Sequence, residues 1–145
     1  MMKKSQPLIL LAVMFLVSAN TQAAEHAIVA QATNFSPLIL FVQPGDTVQF
    51  TNMSPLHDSV SMQGLVPDEA EGWSFAKGEN GTLKLDKEGI YIYKCNPHYA
   101  VGMSGAIIVG EATNLEQVKA NATGRSKGVV IKVARALAKK TLAKK

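Results

Sequence analysis

The sequence predicts an all-β sandwich of seven to eight strands followed by a C-terminal extension of two α-helices. Between Ala27 and Gly110 the apolar runs are short, rich in Val, Ile, Phe and Tyr, and separated by turn residues every eight to twelve positions, which is the pattern of a sandwich or barrel. After Gly110 the apolar spacing switches to a helical period. A hydrophobic content of 47% against 18% charged residues in 145 residues fits one globular core.

The elements follow in order. Lys3 and Lys4 precede a ten-residue apolar run, Leu8 to Val17, and a small and polar stretch ending Thr21-Gln22-Ala23-Ala24. This is the layout of a secretory signal peptide over residues 1–23, with the mature chain starting at Ala24 or Glu25. The apolar run falls short of the roughly 20 residues that span a bilayer, so a retained anchor is the poorer reading and no stable membrane insertion is expected once the leader is removed. Ala27–Ala32 and Leu38–Val42 read as the first strands. Pro44-Gly45-Asp46 then turns the chain, since Pro fixes φ and Gly accepts positive φ. Thr47–Asn52 and Asp58–Met62 follow, and Gly64–Gly72 is a polar connection with room for a helical turn. Gly81–Leu85 and Ile90–Cys95 flank the turn Lys87-Glu88-Gly89, and Gly105–Val109 closes the sandwich at residues 24–110. In the extension, residues 111–145, Asn114 is placed to cap a helix running to Lys119 or Ala120. A second helix starts near Lys127, with Val129, Val130, Val133, Leu137 and Ala138 on one face and Lys132, Arg135, Lys139 and Lys140 on the other.

Charge divides along the chain. From Ala24 to Val118 four lysines face eleven acidic residues, whereas Lys119 onward holds nine basic residues and no acidic one. Export argues against nucleic acid as the partner of that tail. An amphipathic helix packed on the sandwich accounts for it more simply than one lying on anionic lipid.

Cys95 is the one cysteine, and His98 and Met103 follow it in the spacing Cys-x2-His-x4-Met. A lone cysteine in an oxidising compartment has no intramolecular disulfide partner, and thiolate, imidazole and thioether together are a soft set suited to copper. Tyr91, Tyr93 and Cys95 share one face of their strand, with Ile92 and Lys94 on the other. Pro97 ends regular pairing there, so His98 to Met103 forms a loop back into the last strand. A further ligand has to come from elsewhere, from His26 or His57. His26 sits next to the expected new N-terminus and reads as a solvent-exposed side chain; His57, in the loop after Thr47–Asn52, is the better candidate. A buried thiol packing as a small hydrophobe is the bland alternative for Cys95.

The stretch Tyr91-x-x-Lys94-Cys95-x-Pro97-His98-Tyr99-x-x-Gly102-Met103 resembles the ligand loop of the cupredoxin family, most of all its pseudoazurin branch. Pro44-Gly45-Asp46-Thr47-Val48, Gly64-Leu65-Val66-Pro67-Asp68-Glu69-Ala70-Glu71 and Asn114-Leu115-Glu116-Gln117-Val118-Lys119 are similar to segments of the same branch. The resemblance implies a Greek-key cupredoxin sandwich and one type 1 (blue) copper ion held by His57, Cys95, His98 and Met103. It further implies a monomeric periplasmic electron carrier, not an enzyme, whose redox partner docks at the His98 surface. That partner would be a nitrite reductase or another periplasmic oxidoreductase. Two features depart from the branch. Asp58 stands where its members carry asparagine; a carboxylate lacks the amide's donor hydrogens and adds negative charge, which predicts a lower reduction potential or a looser loop. Only Lys77 and Lys94 are expected near a docking face that is lysine-rich in the branch. Copper storage or delivery is the competing function, with Met53 and Met62 near His57 as extra soft donors.

Overall fold

In the computed structural model residues 22–144 are described. All but the end of the expected signal peptide therefore lies outside the described residues. Nine strands form: β1 (Glu25–Gln31), β2 (Asn34–Ser36), β3 (Ile39–Val42), β4 (Thr47–Thr51), β5 (Ser59–Ser61), β6 (Ser74–Phe75), β7 (Gly81–Lys84), β8 (Gly89–Lys94) and β9 (Ser104–Val109). Two helices follow, α1 (Leu115–Asn121) and α2 (Ser126–Leu142). One sheet runs β2-β1-β4-β7 and the other β3-β9-β8-β5-β6, so the chain repeatedly changes sheets, as a Greek-key cupredoxin sandwich requires. The parallel pairs β1/β4 and β3/β9 hold the two early strands against later ones. Two of the nine, β2 and β6, of three and two residues, have no counterpart among the strands expected from the sequence. Each is too short for an alternating pattern to show. The Gly64–Gly72 connection contains turns and no helix.

Two apolar layers flank the second sheet. Between the sheets lie Ile28, Phe35, Val48, Phe50, Trp73, Tyr91, Tyr93, Cys95, Met103 and Ile107. On its outer face Ile90, Ile92, Ala106 and Ile108 meet Val118, Val129, Val130 and Val133 of the helices. β9 is consequently buried at all six positions, and β8 at its first five. The basic residues Lys132, Arg135, Lys139 and Lys140 are exposed, and Lys140 lies 4.4 Å from the centre of the Phe41 ring, a cation–π contact that fastens α2 to edge strand β3. None of the helices among the described residues is long and apolar enough to cross a membrane.

Asn114 precedes α1 but makes no side-chain capping bond. Its amide instead accepts the Ile90 N–H at 2.7 Å and donates to the Ile90 carbonyl at 3.1 Å. A complete pair of bonds to a buried strand residue outweighs one cap, and ties the helical extension to β8.

Tyr93 stacks edge-on against Phe35 and Phe50 at centroid distances of 5.0 and 5.1 Å. Its hydroxyl is buried without a hydrogen-bond partner, and burial pushes the phenol far above its usual range. A Cβ on the cross-strand neighbour Gly105 would collide with that hydroxyl. Glycine is required there by space, not by φ.

Asp46, in the turn between β3 and β4, accepts N–H bonds from Gln43 and Ala24, each at 2.8 Å, and lies 2.9 Å from His26 Nε2. His26 is thus a half-buried member of a hydrogen-bonded cluster, not the free surface side chain expected. The N–H of Gln43, then that of Ala24, then the imidazole hold the Asp46 carboxyl down at about 2. A depressed carboxyl contributes stability that is full above its unfolded value and lost as pH falls through the folded one. The loss for Asp46 therefore falls between about 4 and 2. Urea midpoints of wild type and Asp46→Asn are expected to differ at pH 6 and to converge as the pH drops toward 2; a gap that persists there contradicts this assignment.

Candidate metal centre

Two loops meet at one end of the sandwich. The first leaves β4 and carries His57, held by its N–H to the Ser54 carbonyl at 2.9 Å and by the Gly78 N–H to its own carbonyl at 3.0 Å. The second leaves β8 at Cys95, whose N–H bonds the Met103 carbonyl at 3.0 Å as the last rung before β9. Between them a single 3-10 turn, Tyr99–Val101, is closed by Gly102 at φ +93°, a left-handed conformation suited to glycine. The Met103 N–H then returns to the His98 carbonyl at 3.1 Å. The loop is thus held by its own backbone bonds, which position Cys95, His98 and Met103.

Cys95 Sγ lies 3.9 Å from His57 Nδ1 and 3.6 Å from His98 Nδ1. The donor atoms of the three residues fall within 4.8 Å of one another. Metal–nitrogen and metal–sulfur bonds of about 2.0 and 2.3 Å meeting at an ordinary angle place N and S roughly 3.7 Å apart, so the observed gaps fit an ion between them. Met103 is completely buried in the same inter-sheet layer as Cys95. Cys95 is completely buried too, His57 is 7% exposed, and His98 is half-buried. His26 takes no part.

The electrostatics suit metal binding. Burial first, and then the neighbouring His98, push the His57 pKa down, against an opposing pull from Asp58; the ring stays neutral and its lone pair available. Burial also pushes the Cys95 thiol up, while the backbone N–H groups of Asp58 and His98 pull it down. A buried thiol that resists ionisation alone gives up its proton when a metal binds.

Asp58 is buried beside His57. Its Oδ1 accepts the Asn96 backbone N–H at 2.6 Å, and its Oδ2 accepts the Asn96 side-chain N–H at 3.0 Å. The expectation of a looser loop is therefore corrected: the donor hydrogens that the carboxylate lacks come from Asn96, and the brace across 38 residues is complete. The added charge remains.

The surroundings of His98 are apolar at the centre and basic at the edge. Leu56 and Val101 are 66% and 67% exposed, and Lys94 covers the Tyr99 ring at 5.0 Å. Lys77 lies in the loop whose Gly78 is bonded to His57. Two cations were missed by reading the sequence: Arg125 and Lys132 share a cleft with Val101 and Gly102. Only the packing of α2 beside the ligand loop brings them there, and no local signal announces it.

A buried soft donor set at the end of a two-sheet Greek-key sandwich defines a cupredoxin. Residues 22–110 match the family described as copper binding proteins, plastocyanin/azurin family, and the chain belongs to that family. Within it the likeness is to the pseudoazurins. The chain is 36% identical over 86 residues to pseudoazurin from Methylorubrum extorquens, covering 59% of this chain and 58% of that protein. It is 34% identical over 109 residues to a putative pseudoazurin from Rhizobium leguminosarum, covering 70% and 72%. Among solved structures, a Sinorhizobium pseudoazurin is similar with a TM-score of 0.69 at 39% identity, over 75% of this chain and 92% of that one. The crystal structure of pseudoazurin from Methylobacterium extorquens AM1 gives a TM-score of 0.69 at 28% identity, over 79% and 98%. The match thus spans under two thirds of the Methylorubrum protein and more of the Rhizobium one.

Proposed function

We propose that this chain is a periplasmic type 1 copper protein that carries single electrons to and from a redox partner, with His57, Cys95, His98 and Met103 as its ligands. The convergence of three donor atoms within 4.8 Å, in a fold of the copper-binding family, carries this reading. Bound copper supplies a one-electron Cu(I)/Cu(II) couple, whose two states prefer different geometries. The chain's own residues do the rest. The backbone bonds of the ligand loop and the Asp58–Asn96 brace hold the donors in place, which would limit rearrangement between oxidation states. The inter-sheet layer around Cys95 and Met103 excludes water. His98, the most exposed of the set, offers the ring edge a partner can approach, within the apolar patch of Leu56 and Val101.

Storage or delivery of copper is the weaker reading. Met53 is absorbed in the inter-sheet core, and half-buried Met62 packs against the helix-side layer, a different layer from the one that holds Cys95 and Met103.

Lys94 over Tyr99 and Arg125 and Lys132 beside Val101 favour a partner with an acidic docking face, such as a nitrite reductase or another periplasmic oxidoreductase. Electrostatic steering raises association rates and is screened by salt. Electron transfer to such a partner is expected to slow several-fold as ionic strength rises from about 0.01 to 0.3 M, and Lys132→Glu should flatten that dependence. A rate that rises with salt would overturn the docking assignment.

A further inference from the structure

The Asp46 cluster has one feature that the copper chemistry does not use. The carboxylate is 5% exposed, and among the described residues its one ion-pair partner is the His26 imidazole. Lys84, which lines the same cleft, pairs instead with Asp86 at 3.8 Å. Buried carboxylates are ordinarily matched by a full positive charge. Here the atom facing Oδ1, at 2.8 Å, is the main-chain nitrogen of Ala24. Gln43 and His26 occupy Oδ2.

That nitrogen is also where the leader pattern ends, because Thr21-Gln22-Ala23 places small residues at the two positions an export peptidase reads. Gln22 and Ala23 are exposed. Pairing with the fold begins at Ala24, whose carbonyl accepts the Thr47 N–H at 2.9 Å.

We propose that the mature chain begins at Ala24 and that its new α-ammonium is bound by Asp46, fastening the start of β1 to the turn before β4. The proposal rests on the export reading above and chooses between the two starts the sequence allows. Hydrolysis of the Ala23–Ala24 amide by an export peptidase consumes one water. It leaves a carboxylate on Ala23 of the released leader and an amine on Ala24, which takes up a proton at neutral pH. Cutting one residue later would remove the nitrogen that faces Oδ1 and leave Asp46 with two donors instead of three. The charged groups around the site are Glu25 and His26 on β1, Lys84 on β7, and Asp86 beyond it. Lys84 and Asp86 offset each other, and His26 bonds the other carboxylate oxygen, so neither replaces the ammonium.

A cation that gains a partner on folding has a raised pKa. Its contribution is full below the ordinary α-amino value near 8 and is lost as pH rises through the raised one. The test has two parts, both on full-length precursor expressed with export intact. The first is intact mass with N-terminal sequencing of the periplasmic protein: a start at Ala24 is expected, and a processed chain starting at Glu25 or elsewhere overturns the proposal while leaving export standing. An unprocessed chain overturns both. The second is NMR titration of Ala24 in the processed protein. The expected midpoint lies about one unit above the ordinary α-amino range and returns to that range in Asp46→Asn, with chemical shifts elsewhere reporting that the variant is folded. A wild-type midpoint at the ordinary value overturns the proposal without recourse to any variant.

Discussion

Replacing Cys95 by serine is expected to abolish the intense visible absorption of the copper-loaded protein and to weaken copper binding. The physical reason lies in the donor atom. A hydroxyl at this buried position stays protonated and offers copper a hard oxygen in place of a thiolate, so the sulfur-to-copper charge transfer that gives the colour has no source. Even outer-shell partners of metal ligands are worth about 10–100-fold in affinity, and loss of the thiolate should cost at least that. The metal-free fold should survive, because serine is nearly the size of cysteine and the loop keeps its backbone bonds, among them the residue-95 N–H to the Met103 carbonyl at 3.0 Å. Absorption spectra and copper-to-protein ratios of the two proteins, compared after circular dichroism confirms folding, decide the matter. Retention of the band in Cys95→Ser would mean that the thiolate is not the ligand.

Asp58→Asn is expected to raise the reduction potential, by on the order of 100 mV if one charge several ångströms away acts through an effective dielectric near 20. A negative charge beside the centre favours Cu(II) over Cu(I), and the amide removes it. The brace need not be lost: the asparagine oxygen can keep the Asn96 backbone N–H, while the Asn96 side chain turns to present its own oxygen to the new NH2 group. Asp58→Ala separates charge from bracing, since it removes both. Voltammetry of the three proteins should give a similar upward shift for Asp58→Asn and Asp58→Ala, with slower or less reversible exchange in Asp58→Ala alone. An unchanged potential in Asp58→Asn would show that solvent or Asn96 already neutralises the carboxylate.

The contrast between those two variants also shows what the sequence could and could not reveal. Cys95 and His98 were readable because Pro97 ends the strand between them, so spacing alone predicts that their donor atoms face each other, as they do at 3.6 Å, and it sets Met103 where the loop re-enters the next strand. His57 was reached by elimination, as one of only two remaining histidines. Asp58 was conspicuous, yet its effect on the loop was misjudged because its partner Asn96 lies 38 residues away and carries no periodic or compositional mark. Lys132 reads as part of the solvated face of an amphipathic helix, which it is, and Arg125 immediately precedes that helix. Their place beside Val101 depends on how α2 crosses β8 and β9, and that crossing is tertiary information. Asn114 had the chemistry of a cap and used it on Ile90 instead, because a buried strand N–H and C=O offered two bonds. The main strands were legible from alternation and turns, whereas β2 and β6 are too short to show a period.

Spectroelectrochemical titration of the copper-loaded protein decides whether one copper ion cycles by one electron within a fixed donor set. One copper per chain is expected, with an intense visible band that bleaches on reduction and returns fully on reoxidation, following a single one-electron wave over repeated cycles. A colourless protein that holds Cu(I) and yields no reversible wave would contradict it.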